Sequence, residues 1–215
     1  SSGLQPEMLL CRCETSVHTK VLDKIARLTN VPRVAVFEAP DVDSIYRVPI
    51  EFFDRDVDDF IVDRLRIKRN GVQIKKYRTL VERYVNGKHL PVANIAVVGK
   101  YENCDEAYLS LREALIHAAV SNEVRMNILW INAEKIEKGE VSLEGQNIHG
   151  IIVPGGFDKR GVEGKMHAIK FCRENKIPFL GICLGLQCSV IEFARNVMKL
   201  EGANSQEFDG KCAVP

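Results

Sequence analysis

Short unbroken apolar runs alternate along this chain with stretches of helical spacing, a pattern that predicts an α/β protein. Met8-Leu9-Leu10-Cys11 reads as a short buried strand. Val17, Val21, Ile25 and Leu28 recur at helical spacing, and Val34-Ala35-Val36-Phe37 reads as a second strand. This opening stretch, residues 1–50, holds too few elements to bury a full core and reads as the end of a larger α/β domain. From residue 51 to 91 charge takes over, in Asp54-Arg55-Asp56, Asp58-Asp59, Lys68-Arg69 and Lys75-Lys76. Asn70-Gly71 marks a turn, with Ile61, Leu65, Leu80 and Tyr84 expected to line helical faces around it. The segment is expected to be a linker with amphipathic helices, its basic run a solvated face.

A second α/β unit is expected over residues 92–215. Asn94-Ile95-Ala96-Val97-Val98-Gly99 is a buried-strand pattern. Asp105 is placed to cap a helix whose face is Tyr108, Leu111, Leu115 and Ala119. Strands follow at Met126 to Ile131 and at Gly150-Ile151-Ile152-Val153, then a helix over about 163–175, a strand over 177–182 and a helix over about 186–200. Strands alternating with helices imply a doubly wound, mostly parallel sheet with right-handed crossovers. In such sheets chemistry gathers at the carboxyl ends of the strands.

Composition changes this picture little. The chain has 215 residues, 46% of them hydrophobic and 27% charged, which is ordinary for a globular protein. A net charge of +1 gives no field to attract nucleic acid or a membrane surface. No apolar run is long enough to span a bilayer, and no signal-peptide layout opens the chain. Seven irregularly spaced cysteines fit a reducing compartment better than a disulfide framework, and the Cys11-x-Cys13 pair lacks the partners that structural zinc needs.

The candidate chemistry sits in Gly181-Ile182-Cys183-Leu184-Gly185-Leu186-Gln187, directly after the apolar run Ile177-Pro178-Phe179-Leu180. This reads as strand, sharp turn and helix with a thiol at the tip. The flanking glycines are expected to permit the strained bend. The following helix N-terminus offers unpaired N–H groups and partial positive charge, an environment suited to a nucleophilic sulfur. Pro154-Gly155-Gly156-Phe157, at the neighbouring strand end, can bring backbone N–H groups close to a ligand. With the N–H of Leu184 these are the parts of an oxyanion hole, in which loss of one donor typically costs about 3 kcal/mol of barrier. Gln187 and Glu207 are candidate substrate contacts. A cysteine of this kind calls for a histidine base, yet all five histidines precede Cys183 and none stands out.

Several segments together carry a family resemblance. They are Pro154-Gly155-Gly156-Phe157, Arg160-Gly161-Val162-Glu163-Gly164-Lys165, the Cys183 motif, Ala203-Asn204-Ser205-Gln206-Glu207-Phe208, and upstream Asp41-Val42-Asp43-Ser44-Ile45-Tyr46-Arg47-Val48-Pro49. In this order they resemble the CTP synthase family: the end of its synthetase domain, a linker, and its class-I glutamine amidotransferase domain of flavodoxin-like fold. The resemblance implies ATP-dependent amination of UTP to CTP, in pyrimidine biosynthesis, by ammonia that a cysteinyl thioester releases from glutamine. It implies ATP with magnesium, GTP as an allosteric activator, UTP and CTP as nucleotide ligands, a homotetramer and a cytoplasmic location, with no nucleic acid or membrane partner. By position it makes Cys183 the nucleophile. Gly155, Gly156, Leu184, Gly185, Leu186, Gln187 and Glu207 become oxyanion and glutamine contacts, and Lys24, Pro40, Asp41 and Val42 nucleotide contacts, with no metal ligand. The family's phosphate-binding loop, magnesium carboxylates and His-x-Glu pair have no counterpart in this sequence, so the chain reads as a fragment of low activity by itself. Asp158 stands where the family usually has glycine, and aspartate tolerates left-handed geometry better than most residues. The alternatives are a non-catalytic paralogue that modulates assembly and another class-I amidotransferase.

Overall fold

Leu9–Cys13 (β1) and Val36–Pro40 (β2) extend side by side as a parallel pair, with Leu9 opposite Val36 and Cys13 opposite Pro40. A computed structural model describes these and the rest of residues 3–71, 73–100, 107–157, 159–210 and 212. It divides into two units, Ser1–Lys88 and His89–Pro215. In the first, α1 (Thr19–Thr29) crosses from β1 to β2. His18 Nδ1 accepts the Lys20 N–H at its start, and Asn30 ends it in the left-handed conformation. Leu22, Ala26, Val31, Ala35 and Val36 form the core of this unit.

That core bears out Val17 and Ile25, which pack against it, and corrects the rest of the expected face. Val21 and Leu28 of α1 are exposed, whereas Leu22 and Ala26 are buried. A sheet of two strands can cover only a narrow stripe of a helix, and the strand contacts choose the stripe rather than the bulkiest residues. Val34 is likewise exposed, in a 3-10 turn over Arg33–Ala35 that closes with the Ala35 N–H on the Pro32 carbonyl at 2.8 Å, so β2 starts later than the apolar run suggests.

Three helices occupy the charged stretch: α2 (Val48–Asp54), α3 (Val57–Leu65) and α4 (Ile74–Asn86). They bury Ile50, Val57 and Val81, while Ile61, Leu65, Leu80 and Tyr84, expected on packed faces, are exposed. The charges explain the difference, because they join elements along the surface. Arg47 pairs with Asp43 and Glu82, Arg55 with Glu38 and Glu51, and Arg78 with Asp54. Tyr77 Oη donates to the Tyr46 carbonyl at 3.0 Å, and Tyr84 meets the Tyr46 ring edge-on.

The second unit is a four-stranded parallel sheet in the order β4-β3-β5-β6, from Val92–Gly99 (β3), Arg125–Asn132 (β4), Gly150–Val153 (β5) and Phe179–Gly181 (β6). Its helices are α5 (Leu109–Ser121), α6 (Ala133–Glu137), α7 (Val162–Asn175) and α8 (Leu184–Asn196). All residues of β5 are buried, as expected of a central parallel strand covered on both faces. Ala96, Val98, Ile131, Ile151 and Val153 of the strands pack against Met166, Ile169 and Cys172 of α7 and Leu184, Cys188 and Ile191 of α8. Tyr108 stacks on Trp130 at 5.6 Å. The expected cap Asp105 and the substituted Asp158 lie outside the described residues.

The bounds of β6 and α8 differ from expectation, β6 covering only Phe179–Gly181. Helix α8 begins at Leu184, directly after the cysteine, and ends at Asn196. The Cys183 carbonyl already accepts the N–H groups of Leu186 and Gln187, at 2.9 and 3.1 Å, so winding starts at the turn itself. Helix α7 lies tight against α6: a Cβ on Gly164 would stand 1.8 Å from the Ala133 carbonyl oxygen. Gly161, by contrast, sits at φ +72 before α7 and is needed for its conformation.

Candidate active site

Strands β5 and β6 are neighbours in register, Val153 opposite Gly181, so the chain leaves both at the same edge of the sheet. Past β5 comes Pro154-Gly155-Gly156-Phe157, and past β6 comes Ile182-Cys183. The Ile182 N–H donates to the Val153 carbonyl at 3.0 Å and carries the pairing up to the cysteine. Cys183 is exposed, at φ 52 and ψ −108. That is the first corner of a type II′ turn, a position glycine normally fills. A side chain held there costs of order 1–3 kcal/mol.

The strain therefore lies on the cysteine, which corrects the role expected of its flanking glycines. Neither Gly181 nor Gly185 has a positive φ. Their absent side chains serve close approach. A Cβ on Gly185 would stand 2.0 Å from the Val153 carbonyl oxygen, and one on Gly181 2.6 Å from the backbone carbon of Gly185. The start of α8 is thus seated directly on the end of β5, and only glycine fits at both contacts.

The double-glycine loop meets this corner. A Cβ on Gly155 would be 3.4 Å from Cys183 Cβ, and one on Gly156 3.5 Å from Leu184 Cδ2, ordinary contact distances. Leu184 opens α8, so its N–H has no acceptor within the helix. Lys100, just past β3, donates its ammonium to the Phe157 carbonyl, and Asn132 Nδ2 donates to the Lys100 carbonyl at 3.1 Å. The loop is thereby tied to the end of β3. Lys100 was readable as a site residue only from its place at the carboxyl edge of the sheet. Lys165, 1% exposed on α7, was readable only from its spacing to the buried Val162 and Ile169.

The remaining predicted residues fall in three places. Leu186 and Gln187 are exposed on the first turn of α8, beside Cys183. Glu207 is exposed, and among the described residues its carboxylate has no partner and no bond joins it to the cysteine corner. Its neighbour Phe208 is buried in the same core as Leu184, and Arg195 Nε donates to the Ala203 carbonyl at 2.6 Å, so the segment is docked on this unit. In the other unit Lys24 is exposed on α1, and Pro40 to Val42 lie at the carboxyl end of β2. The Asp41 N–H donates to the Cys13 carbonyl at 2.9 Å, and its carboxylate accepts from Arg12 at 2.7 Å. His149 Nδ1 accepts the Asn94 N–H at 2.9 Å, at the amino edge of the sheet, opposite Cys183.

Burial separates the thiols of this unit. It pushes Cys172 up to about 12 and Cys188 up to about 11, the nearby Lys165 partly offsetting the latter. Both stay protonated well above neutral pH, and the thiolate is the reactive form. N-ethylmaleimide at pH 7.5 is expected to modify exposed Cys183 in the folded chain at least ~100-fold faster than either buried thiol. Peptide mapping checks this. Modification of Cys172 or Cys188 alongside Cys183 would mean that α7 and α8 do not pack as described.

Comparison with known proteins bears on both units. The family model for class-I glutamine amidotransferases matches residues 104–212, and that for the CTP synthase N-terminus matches residues 1–67. The chain belongs to the CTP synthase family. The second match sets aside another class-I amidotransferase, which has no reason to carry that N-terminal segment. CTP synthase of Caldanaerobacter subterraneus subsp. tengcongensis is 47% identical over 215 residues, covering 100% of this chain and 40% of its own length. That of Methanocaldococcus jannaschii is 44% identical over 221 residues, covering 100% of this chain and 41% of its own. The chain thus spans about 40% of the length of these curated relatives. Among solved structures, the Trypanosoma brucei CTPS glutaminase domain with bound acivicin superposes with a TM-score of 0.52 at 38% identity, over 57% of this chain and 48% of that one.

Proposed function

We propose that Cys183 is the nucleophile of a glutaminase reaction that supplies ammonia for the ATP-dependent amination of UTP to CTP. One observation carries the reading: an exposed cysteine in a glycine-type conformation, seated between a double-glycine loop and the start of a helix. A residue that served packing alone would be buried and unstrained. Strained backbone at an exposed nucleophile is the usual mark of a site where function outweighs stability.

The sulfur attacks the side-chain amide carbon of glutamine. A C–S bond forms, and the amide oxygen takes the negative charge. The Leu184 N–H and the backbone of Gly155 and Gly156 face that oxygen. The intermediate collapses with cleavage of the C–N bond, ammonia leaves with the thiol proton, and a thioester remains. Water then cleaves the thioester to glutamate and free thiol. Leu186, Gln187 and Glu207 hold the rest of the glutamine, and Gly185 sets the approach of α8. The acivicin bound by the T. brucei glutaminase domain supports a ligand site in this fold.

In the first unit, Lys24, Pro40, Asp41 and Val42 contribute to nucleotide contacts, with ATP held mainly by segments outside this chain. Among the described residues no group of three or more His, Cys, Asp or Glu is placed to hold a metal ion, so the magnesium implied by the family is assigned to no residue here. GTP activation, a homotetramer and a cytoplasmic location complete the proposal. The six described cysteines are all free, which fits a reducing compartment.

Hydroxylamine tests the thioester directly, because it intercepts an acyl-enzyme as γ-glutamyl hydroxamate. The chain incubated with glutamine and hydroxylamine is expected to yield hydroxamate, and Cys183→Ala none. Hydroxamate from Cys183→Ala at the parent rate would refute the assignment.

A further inference from the structure

Helix α7 buries one charge that the reaction just described does not use. Lys165 is 1% exposed, among the most buried large side chains of the chain. Its N–H donates to the Gly161 carbonyl at 3.0 Å in the first turn of the helix. From there its side chain runs toward the double-glycine loop: Nζ lies 3.8 Å from the point where a Cβ on Gly156 would stand. Leu184 Cδ2 lies 3.5 Å from that same point. The ammonium and the Leu184 side chain thus both lie against Gly156, in the double-glycine loop that faces the developing oxyanion. It also acts on Cys188, one turn further along α8.

Burying an ammonium is expensive, and an apolar side chain of the same length would fill the space without that cost. What an apolar side chain cannot supply is fixed positive charge. In a water-poor setting such charge acts more strongly than in solvent, and it needs no reorganisation as the oxyanion forms. We infer that Lys165 is a positioning residue of the glutaminase site: its buried ammonium holds the Gly155-Gly156 corner against the start of α8 and keeps positive charge behind the oxyanion. It acts through the loop, since it is sealed from solvent and from substrate. The inference rests on the assignment of Cys183 as nucleophile.

A chloroketone analogue of glutamine provides the assay. The Cys183 sulfur displaces chloride, a C–S bond replaces the C–Cl bond, the thiol proton passes to solvent, and the ketone oxygen occupies the oxyanion position. Saturation kinetics of labelling, read by intact mass and peptide mapping, give a limiting rate and a half-saturation concentration. Lys165→Met is expected to lower the limiting rate at least tenfold with half-saturation within twofold. Lys165→Arg, which keeps the charge, is expected to recover to within threefold of the parent. A Lys165→Met protein that labels at the parent rate overturns the inference while leaving the nucleophile in place, and so does an equal loss in both variants, which would point to packing alone. Failure of the parent to label at Cys183 overturns both readings together. Should Lys165→Met not fold by circular dichroism, Lys165→Arg decides alone: a loss beyond tenfold in a folded protein refutes the role of charge.

Discussion

Cys183→Gly is expected to give a protein about 1 kcal/mol more stable than the parent and without any acyl-enzyme chemistry. The expectation follows from φ 52 and ψ −108 at that residue, a conformation in which a Cβ is strained and glycine is not. Relief of about 1–3 kcal/mol of strain is partly offset by the larger conformational freedom glycine gives the unfolded chain, about 0.5–1 kcal/mol. Because Cys183 is exposed, its side chain contributes little packing to lose. Cys183→Ala is the control that isolates the backbone contribution: it removes the sulfur and keeps the Cβ, so its stability should match the parent. Both variants should lose the hydroxamate formation that the parent shows, since each removes the nucleophile. Urea unfolding measures the stability side. Equal midpoints for the glycine and alanine variants would show that the turn stores no strain at this residue.

Gly185→Ala is expected to do the opposite, costing more than about 3 kcal/mol and most of the activity. Its Cβ would stand 2.0 Å from the Val153 carbonyl oxygen, which belongs to backbone and cannot rotate away. The end of β5 and the start of α8 would have to part. That movement would carry Cys183 and Leu184 away from Gly155 and Gly156, and a misplacement of about 1 Å in a catalytic group can cost roughly 100-fold in rate. Gly210→Ala is the matched control: nothing lies within 4 Å of its Cβ position and its φ is not positive. Its stability should stay within ~0.5 kcal/mol of the parent. Parent-like unfolding of Gly185→Ala would mean that the helix start is not seated on β5 in the way described.

Much of the second unit was legible because its strands are largely apolar runs, most of them closed by glycine or proline. Asn94 to Gly99, Met126 to Ile131 and Gly150 to Val153 all appear as strands within a residue or two of expectation. The cysteine turn was legible as well, since an apolar run, a glycine pair and a helical pattern meet there. What the chain order could not reveal was which residue carries the strain. Gly-x-Cys-x-Gly suggests bending glycines, but only the packing of Gly185 on Val153 and of Gly181 on Gly185 shows that they serve proximity. Helix faces were misread where few strands select them. Val21 and Leu28 of α1 look like a buried stripe, yet a two-stranded sheet covers Leu22 and Ala26. Ile61 and Leu80 were misread for a related reason: they are exposed between residues committed to ion pairs, Asp59 and Asp63 with Arg69, and Arg78 and Glu82 with Asp54 and Arg47. Lys100 and Lys165 were missed as parts of the site because a lysine in a chain pattern reads as solvent-facing. Only the fold brings one to the Phe157 carbonyl and the other beneath Gly156.

The most direct measurement is peptide mapping of the folded chain after exposure to the glutamine chloroketone, with and without excess glutamine. A single adduct on Cys183 that glutamine suppresses is the predicted outcome. Adducts spread over several of the seven thiols, or one placed elsewhere with Cys183 left free, would contradict it.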